Sequence, residues 1–97
     1  MKPKMKRESF ASVWDAIEDD RAVAANMTMR SDLLIALQQR VASWKVIQAQ
    51  AARRLEITQP RLNDLLRNRI NKFSLDMLVN LANRADIRVN LKISKAA

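Results

Sequence analysis

Cysteine and histidine are both missing from this 97-residue chain. Their absence excludes disulfides, thiol redox chemistry, the usual zinc sites and any catalysis that turns on a thiolate or an imidazole. Glycine is missing too, so no glycine-rich loop can cradle a phosphate and every turn must be built from residues that carry a Cβ. The serines, Ser9, Ser12, Ser31, Ser43, Ser74 and Ser94, stand in no nucleophile-elbow setting. A serine–lysine or paired-carboxylate mechanism is all that remains, and no spacing supports either. The expectation is a chain that binds rather than catalyses, with no cofactor and no metal. The opening MKPKMKR is positively charged, but no apolar stretch follows it, so it reads as neither a signal peptide nor a membrane anchor. A cytoplasmic protein is the expectation.

Hydrophobic residues make up 48% of the chain, which fits one globular domain with a modest core and leaves no room for two. Lysine and arginine number 18 against 10 acidic residues, for a formal charge of +8, a balance that favours a polyanionic partner. Between Arg40 and Lys72 eight basic residues face two acidic ones, Glu56 and Asp64, a local charge of +6. The segment that spans Gln48 to Arg67, QAQAARRLEITQPRLNDLLR, lies inside that basic stretch.

Those residues read as two short helices joined by a tight turn. Ala51, Ala52 and Leu55 share one face of the first, and small alanines are what a close helix crossing demands. Thr58 can cap the second helix with its hydroxyl, and Pro60 sits near the first helical positions, where a missing N–H costs nothing. Leu62, Leu65 and Leu66 form the buried stripe, leaving Gln59, Arg61, Asn63, Asp64 and Arg67 to project away from it. A basic helix pair of this kind is built to reach the edges of nucleic-acid bases. Gln59 is the first candidate base reader, because its amide can bond adenine N6 and N7 together, and Arg61 and Asn63 come next. Arg53, Thr58, Arg67 and Arg69 are candidates for phosphate contacts.

From Thr58 to Ala82 the chain, TQPRLNDLLRNRINKFSLDMLVNLA, resembles the lambda-repressor-like (XRE) helix-turn-helix family, specifically its HigA-type antitoxin branch, and the resemblance extends over most of the sequence. It implies that Gln48 opens helix two and holds a phosphate, and that Gln59 opens the recognition helix. It also implies an operon-regulating antitoxin of a type II toxin–antitoxin pair, which neutralises a RelE/HigB-like ribonuclease toxin. Two departures stand out. The family usually places glycine in the turn where this chain has Glu56, and a threonine before the first glutamine where it has Ile47. Glu56 must therefore adopt a left-handed conformation, at roughly 1 kcal/mol, or the turn is shaped differently. Asn68 fills another site where glycine is common, and asparagine tolerates that conformation better.

Upstream, Phe10, Val13, Trp14 and Ile17 repeat on one helical face. Glu8, Asp15, Glu18, Asp19 and Asp20 put five negative charges and no positive one between Glu8 and Asp20. This acidic helix either packs on its own domain or offers Phe10, Trp14, Asp15 and Glu18 to a basic protein such as an RNA-cutting toxin. The basic arm before it either lies along DNA phosphates or is a frayed end. Arg21 to Asn26 is helix-prone, with Asp20 available as a cap, and Met27 to Arg30 is either a break or a continuation. The expected division is a 1–29 N-terminal extension and a 30–97 DNA-binding domain. In the latter Leu33, Leu34, Leu37, Val41 and Trp44 face the core and Gln38, Gln39 and Arg40 face outward. After the polar, basic RNRINK loop, Ser74 caps a last helix, Phe73 can pack on Leu78 as a hydrophobic staple, and Leu75, Leu78, Val79 and Ala82 close the core.

The period then changes. Ile87, Val89, Leu91 and Ile93 alternate with Arg88, Asn90, Lys92 and Ser94, the two-residue repeat of a strand with one apolar face. A lone strand must pair with something, and three endings stay open: its own copy across a twofold axis, the sheet edge of another protein, or a disordered tail. The expected architecture is thus mainly α, a lambda-repressor-like domain with an N-terminal helical extension and a C-terminal β-strand used for dimerisation. The expected partners are a palindromic double-stranded DNA operator, a second copy of the chain and a toxin protein, with no membrane. Such a repressor would be nucleoid-associated while on its operator. A stand-alone phage-like regulator without a toxin and a protein-interaction module on the same fold are the competing readings.

Overall fold

The computed structural model describes the backbone of residues 8–95 and the side chains of residues 20–95. With neither proline nor glycine between them and alanine at frequent intervals, residues Glu8–Trp44 form one α-helix of 37 residues, α1. It runs unbroken through residues 27–30, so the expected extension and the expected domain share a single helix. Asp20 accordingly lies within a helix and caps nothing. The side chains of Phe10, Trp14, Asp15 and Glu18 lie outside the described residues.

Three shorter helices follow: α2 (Gln48–Leu55), α3 (Gln59–Leu66) and α4 (Leu75–Arg84), with a 3-10 turn at Ile70–Lys72 before the last. α4 packs chiefly against α1, and α2 against α3. Between them lies one core of Leu34, Leu37, Val41, Ala51, Ala52, Leu55, Leu62, Leu65, Phe73, Leu78, Leu81 and Ala85. Each fully enclosed leucine contributes about 1.5–3 kcal/mol. The buried stripes of α1, α2 and α3 follow the predicted periodicity, although Leu33, Trp44 and Leu66 are only half-buried against the core. On α4 the stripe is turned. Val79 is exposed, whereas Leu81 and Ala85, absent from the expected set, are enclosed.

All four α-helices end without glycine. Lys45, Glu56, Asn68 and Asp86 take positive φ, between 52° and 63°, the left-handed conformation that costs a residue with a Cβ about 1 kcal/mol. Polar side chains from other helices support three of these four ends. Arg84 donates to the Leu55 carbonyl (3.0 Å). Gln38 donates to the Leu65 carbonyl (2.9 Å) and reaches Asn68 Oδ1 (3.4 Å). Arg40 donates to the Ala85 and Asp86 carbonyls (2.8 and 3.3 Å). Gln38 and Arg40 therefore do not face outward. The last carbonyls of a helix have no partner within it, and long polar side chains on α1 and α4 reach them.

Among the described residues there is no β-strand. Ile87 is half-buried and tied to the domain by its N–H, which donates to the Ala82 carbonyl (2.9 Å). Beyond it residues 88–95 carry no regular structure, and Val89, Leu91 and Ile93 are exposed. The expected C-terminal strand is not formed, because a strand needs a neighbour to accept its N–H groups and none is offered among the described residues.

Candidate nucleic-acid interface

α3 starts where the sequence predicts. The Thr58 hydroxyl accepts the Arg61 N–H (3.2 Å), and Pro60 occupies the first turn. Gln59, the first residue of α3, is exposed, as is Gln48, the first residue of α2. With Leu62 and Leu65 fully enclosed, a rotation of about 100° per residue directs Pro60, Asn63, Asp64 and Arg67 away from the core. Glu56 makes the turn between the helices with φ 58° and ψ 42°, so the left-handed alternative is the one the chain adopts. Arg84 stands 3.9 Å from its carboxylate.

Arg61 behaves differently from its neighbours. Its guanidinium lies 4.8 Å from the centre of the Phe73 ring and donates to Met77 Sδ (3.1 Å), pinning α3 to the start of α4. The half-buried Arg61 therefore flanks the outward face instead of standing free on it. Phe73 is itself fixed from behind, since Arg30 on α1 donates to its carbonyl (3.2 Å). The Ser74 hydroxyl accepts the Met77 N–H (3.1 Å), the expected cap on α4.

Beyond α3 the backbone folds back. The Arg69 N–H donates to the Asp64 carbonyl (3.0 Å), and its guanidinium lies 3.9 Å from the Asp64 carboxylate. Arg67, Arg69, Asn71 and Lys72 are all exposed here, so a row of donors borders the outward face of α3. Arg53 is exposed on the side of α2 turned away from its buried Ala51, Ala52 and Leu55, which sets it apart from that row. Its neighbour Arg54 lies 4.8 Å over the Trp44 ring.

Gln59, Asn63, Arg67 and Arg69 are thus brought together, with Thr58 at the helix start and Gln48 at the start of the adjoining helix. Five positioning residues escaped the sequence reading: Gln38, Arg40, Arg84, Arg30 and Phe73 in its role beneath Arg61. Their partners are backbone carbonyls and a ring face far away in sequence, and no periodicity signals such contacts. Among the described residues no cluster of acids could hold a metal ion, and no helix is long and apolar enough to cross a membrane.

A family model described as a helix-turn-helix domain matches residues 16–94. A solved chain that carries the provisional name of an XRE-family transcriptional regulator is similar at 32% sequence identity and a TM-score of 0.70, with 75% of this chain and 82% of that chain covered. No curated protein matches the chain in sequence.

Proposed function

Because this chain belongs to the XRE-like helix-turn-helix family, we propose that it is a sequence-specific transcriptional repressor and the antitoxin of a type II toxin–antitoxin pair. At the coarser level it is a DNA-binding transcriptional regulator. The observation that carries the reading is the outward face of α3, where exposed Gln59, half-buried Asn63 and exposed Arg67 stand together within the basic stretch from Arg40 to Lys72. In a major groove Gln59 and Asn63 each offer an amide that fits adenine N6 and N7. Arg61, held against Phe73, reads beside them. Gln48, Arg53, Thr58, Arg67 and Arg69 bond phosphates and fix the register.

Operator binding of this kind uses two recognition helices about 34–36 Å apart, and therefore two copies of the chain on a palindrome. Support for a homodimer comes from Ile87, Val89, Leu91 and Ile93. The exposed members of this set alternate with polar residues, and among the described residues no backbone hydrogen bond occupies the main chain from residue 88 to 95. A second copy satisfies both needs at once by pairing as a strand across a twofold axis.

Residues 1–29 serve as a partner-binding arm and residues 30–97 as the DNA-binding domain. The five acids between Glu8 and Asp20, with Phe10 and Trp14 among them, suit a basic ribonuclease whose own surface must hold RNA. Downstream on the same helix Val23 and Met29 are exposed, so that stretch is not consumed by the chain's own core. The partner is a RelE/HigB-like toxin, and binding to the operator controls the pair's own operon.

The test is to co-express the chain with its neighbouring reading frame, purify it, and offer the product a random pool of duplex DNA. Selection of a palindrome by the protein, together with co-elution of a small basic ribonuclease, is the expected result. A homogeneous protein that selects no sequence overturns the regulator, and one that selects a palindrome but retains no ribonuclease overturns the antitoxin.

A further inference from the structure

α3 contains a single acid, Asp64, and the energetics of folding give little reason for it. It lies in the C-terminal half of the eight-residue helix, where the helix dipole disfavours a carboxylate. Its ion pair with Arg69 is 3.9 Å long, with the arginine side chain 49% exposed and the aspartate side chain 20% exposed, so water screens part of the attraction although the carboxylate is largely covered. Yet Asp64 points away from the enclosed Leu62 and Leu65, next to Pro60 and Arg67 on the face that the proposed function turns toward DNA.

We propose that Asp64 is a specificity-determining residue that accepts a hydrogen bond from the amino group of a cytosine in the major groove. The inference rests on the reading of α3 as the DNA-facing helix. A carboxylate carried into a groove walled by phosphates is repelled by every sequence alike. It is also stripped of water, and a desolvated carboxylate without a donor is strongly unfavourable. Cytosine presents its N4 amino group in the groove as a donor and suits a lone acceptor. Guanine and thymine turn acceptors toward it, and adenine sets an acceptor beside its donor. Asp64 thus acts mainly by rejecting the other bases.

Arg69 makes the placement workable. Its backbone N–H holds the Asp64 carbonyl and its guanidinium rests near the carboxylate. This limits the side chain's freedom and offsets part of its charge, and the fifth of the side chain that stays exposed is the part a base can reach. From Gln59 to Asp64 the rise along α3 is about 7.5 Å, roughly two base-pair steps along a strand. The cytosine therefore lies close to the base that Gln59 reads.

The test uses the full chain and its Asp64→Asn and Asp64→Ser variants, with helicity checked by circular dichroism. Each is offered the same random duplex pool, and each is titrated against one duplex that lacks the selected sequence. Wild-type protein should select a cytosine at one position by about tenfold or more. Asp64→Asn should lose that preference, shifting toward adenine, and Asp64→Ser should leave the position near parity. Both should bind the unselected duplex more tightly than wild type. Folded variants that select the wild-type consensus with unchanged margins overturn the assignment while leaving the regulator intact. A wild-type chain that selects no consensus overturns the regulator and the role of Asp64 with it.

Discussion

Arg84 closes the turn at Glu56. Its Nη1 donates to the Leu55 carbonyl at 3.0 Å and its Nε lies 3.9 Å from the Glu56 carboxylate. A residue with a Cβ is thereby held in a left-handed turn by a side chain from α4. Glu56→Gly should stabilise the fold by about 1 kcal/mol, since glycine takes this conformation without the steric penalty and the exposed ion pair contributes little. Arg84→Ala should destabilise it by about 1–2 kcal/mol, through the carbonyl left without its donor. Thermal unfolding of both variants checks this, and a lower melting temperature for Glu56→Gly would contradict it.

Gln59→Ala should weaken binding to the cognate operator by about 1–3 kcal/mol and leave binding to unrelated DNA nearly unchanged. Arg67→Ala should weaken both and reduce the salt dependence by about one unit. Titrations at several salt concentrations separate the two, and equal weakening by Gln59→Ala on every sequence would remove its assignment as a base reader.

Deleting the chain from Arg88 onward should leave the helices intact, because the core ends at Ala85 with Ile87 packed against it. The same deletion should convert a dimer into a monomer and lower operator affinity, since each half-site must then bind alone. Sedimentation of the truncated protein decides the point, and a dimer that survives would rule out pairing through Val89, Leu91 and Ile93.

Removing residues 1–20 should abolish toxin neutralisation while the remaining protein still folds, dimerises and occupies its operator. Leu34, the first enclosed core residue on α1 among those described, lies well downstream of the cut, and Leu34→Ala should by contrast cost about 2–5 kcal/mol. A truncated protein that unfolds would assign the Phe10, Val13, Trp14 and Ile17 face to the domain's own core. One that folds and still silences the toxin would move the gripping surface elsewhere.

The helix-turn-helix was legible in sequence because its signals are local. Apolar periodicity, the Thr58 and Ser74 caps and the proline at the start of α3 each act within a few residues, and each stands where expected. Less legible was whatever depended on a distant partner. Val79 looked as apolar as Leu81, and only the crossing against α1 decides which of them is covered. Gln38 and Arg40 read as solvent-facing because nothing local reveals that a helix end waits for them. Arg61 was expected on the open face with Gln59, yet the Phe73 ring beside it draws it to the flank. The C-terminal alternation has the two-residue period of a strand, yet residues 88–95 form none, because alternation alone supplies no backbone to pair with.

The unbroken path of α1 from Glu8 to Trp44 makes the molecule a ruler. In one continuous helix each added residue advances everything upstream by about 1.5 Å and turns it by about 100°. Distance from the core and bearing around the helix axis therefore cannot be changed independently. Seven residues inserted at the exposed Ala24 and Ala25 would raise a bound partner by about 10 Å and return it to almost the same side. Two inserted residues would lift it by only about 3 Å, yet swing it to nearly the opposite side. Spacing along this arm is consequently a phase, and chains that differ in length by whole turns should be interchangeable where those that differ by half a turn are not.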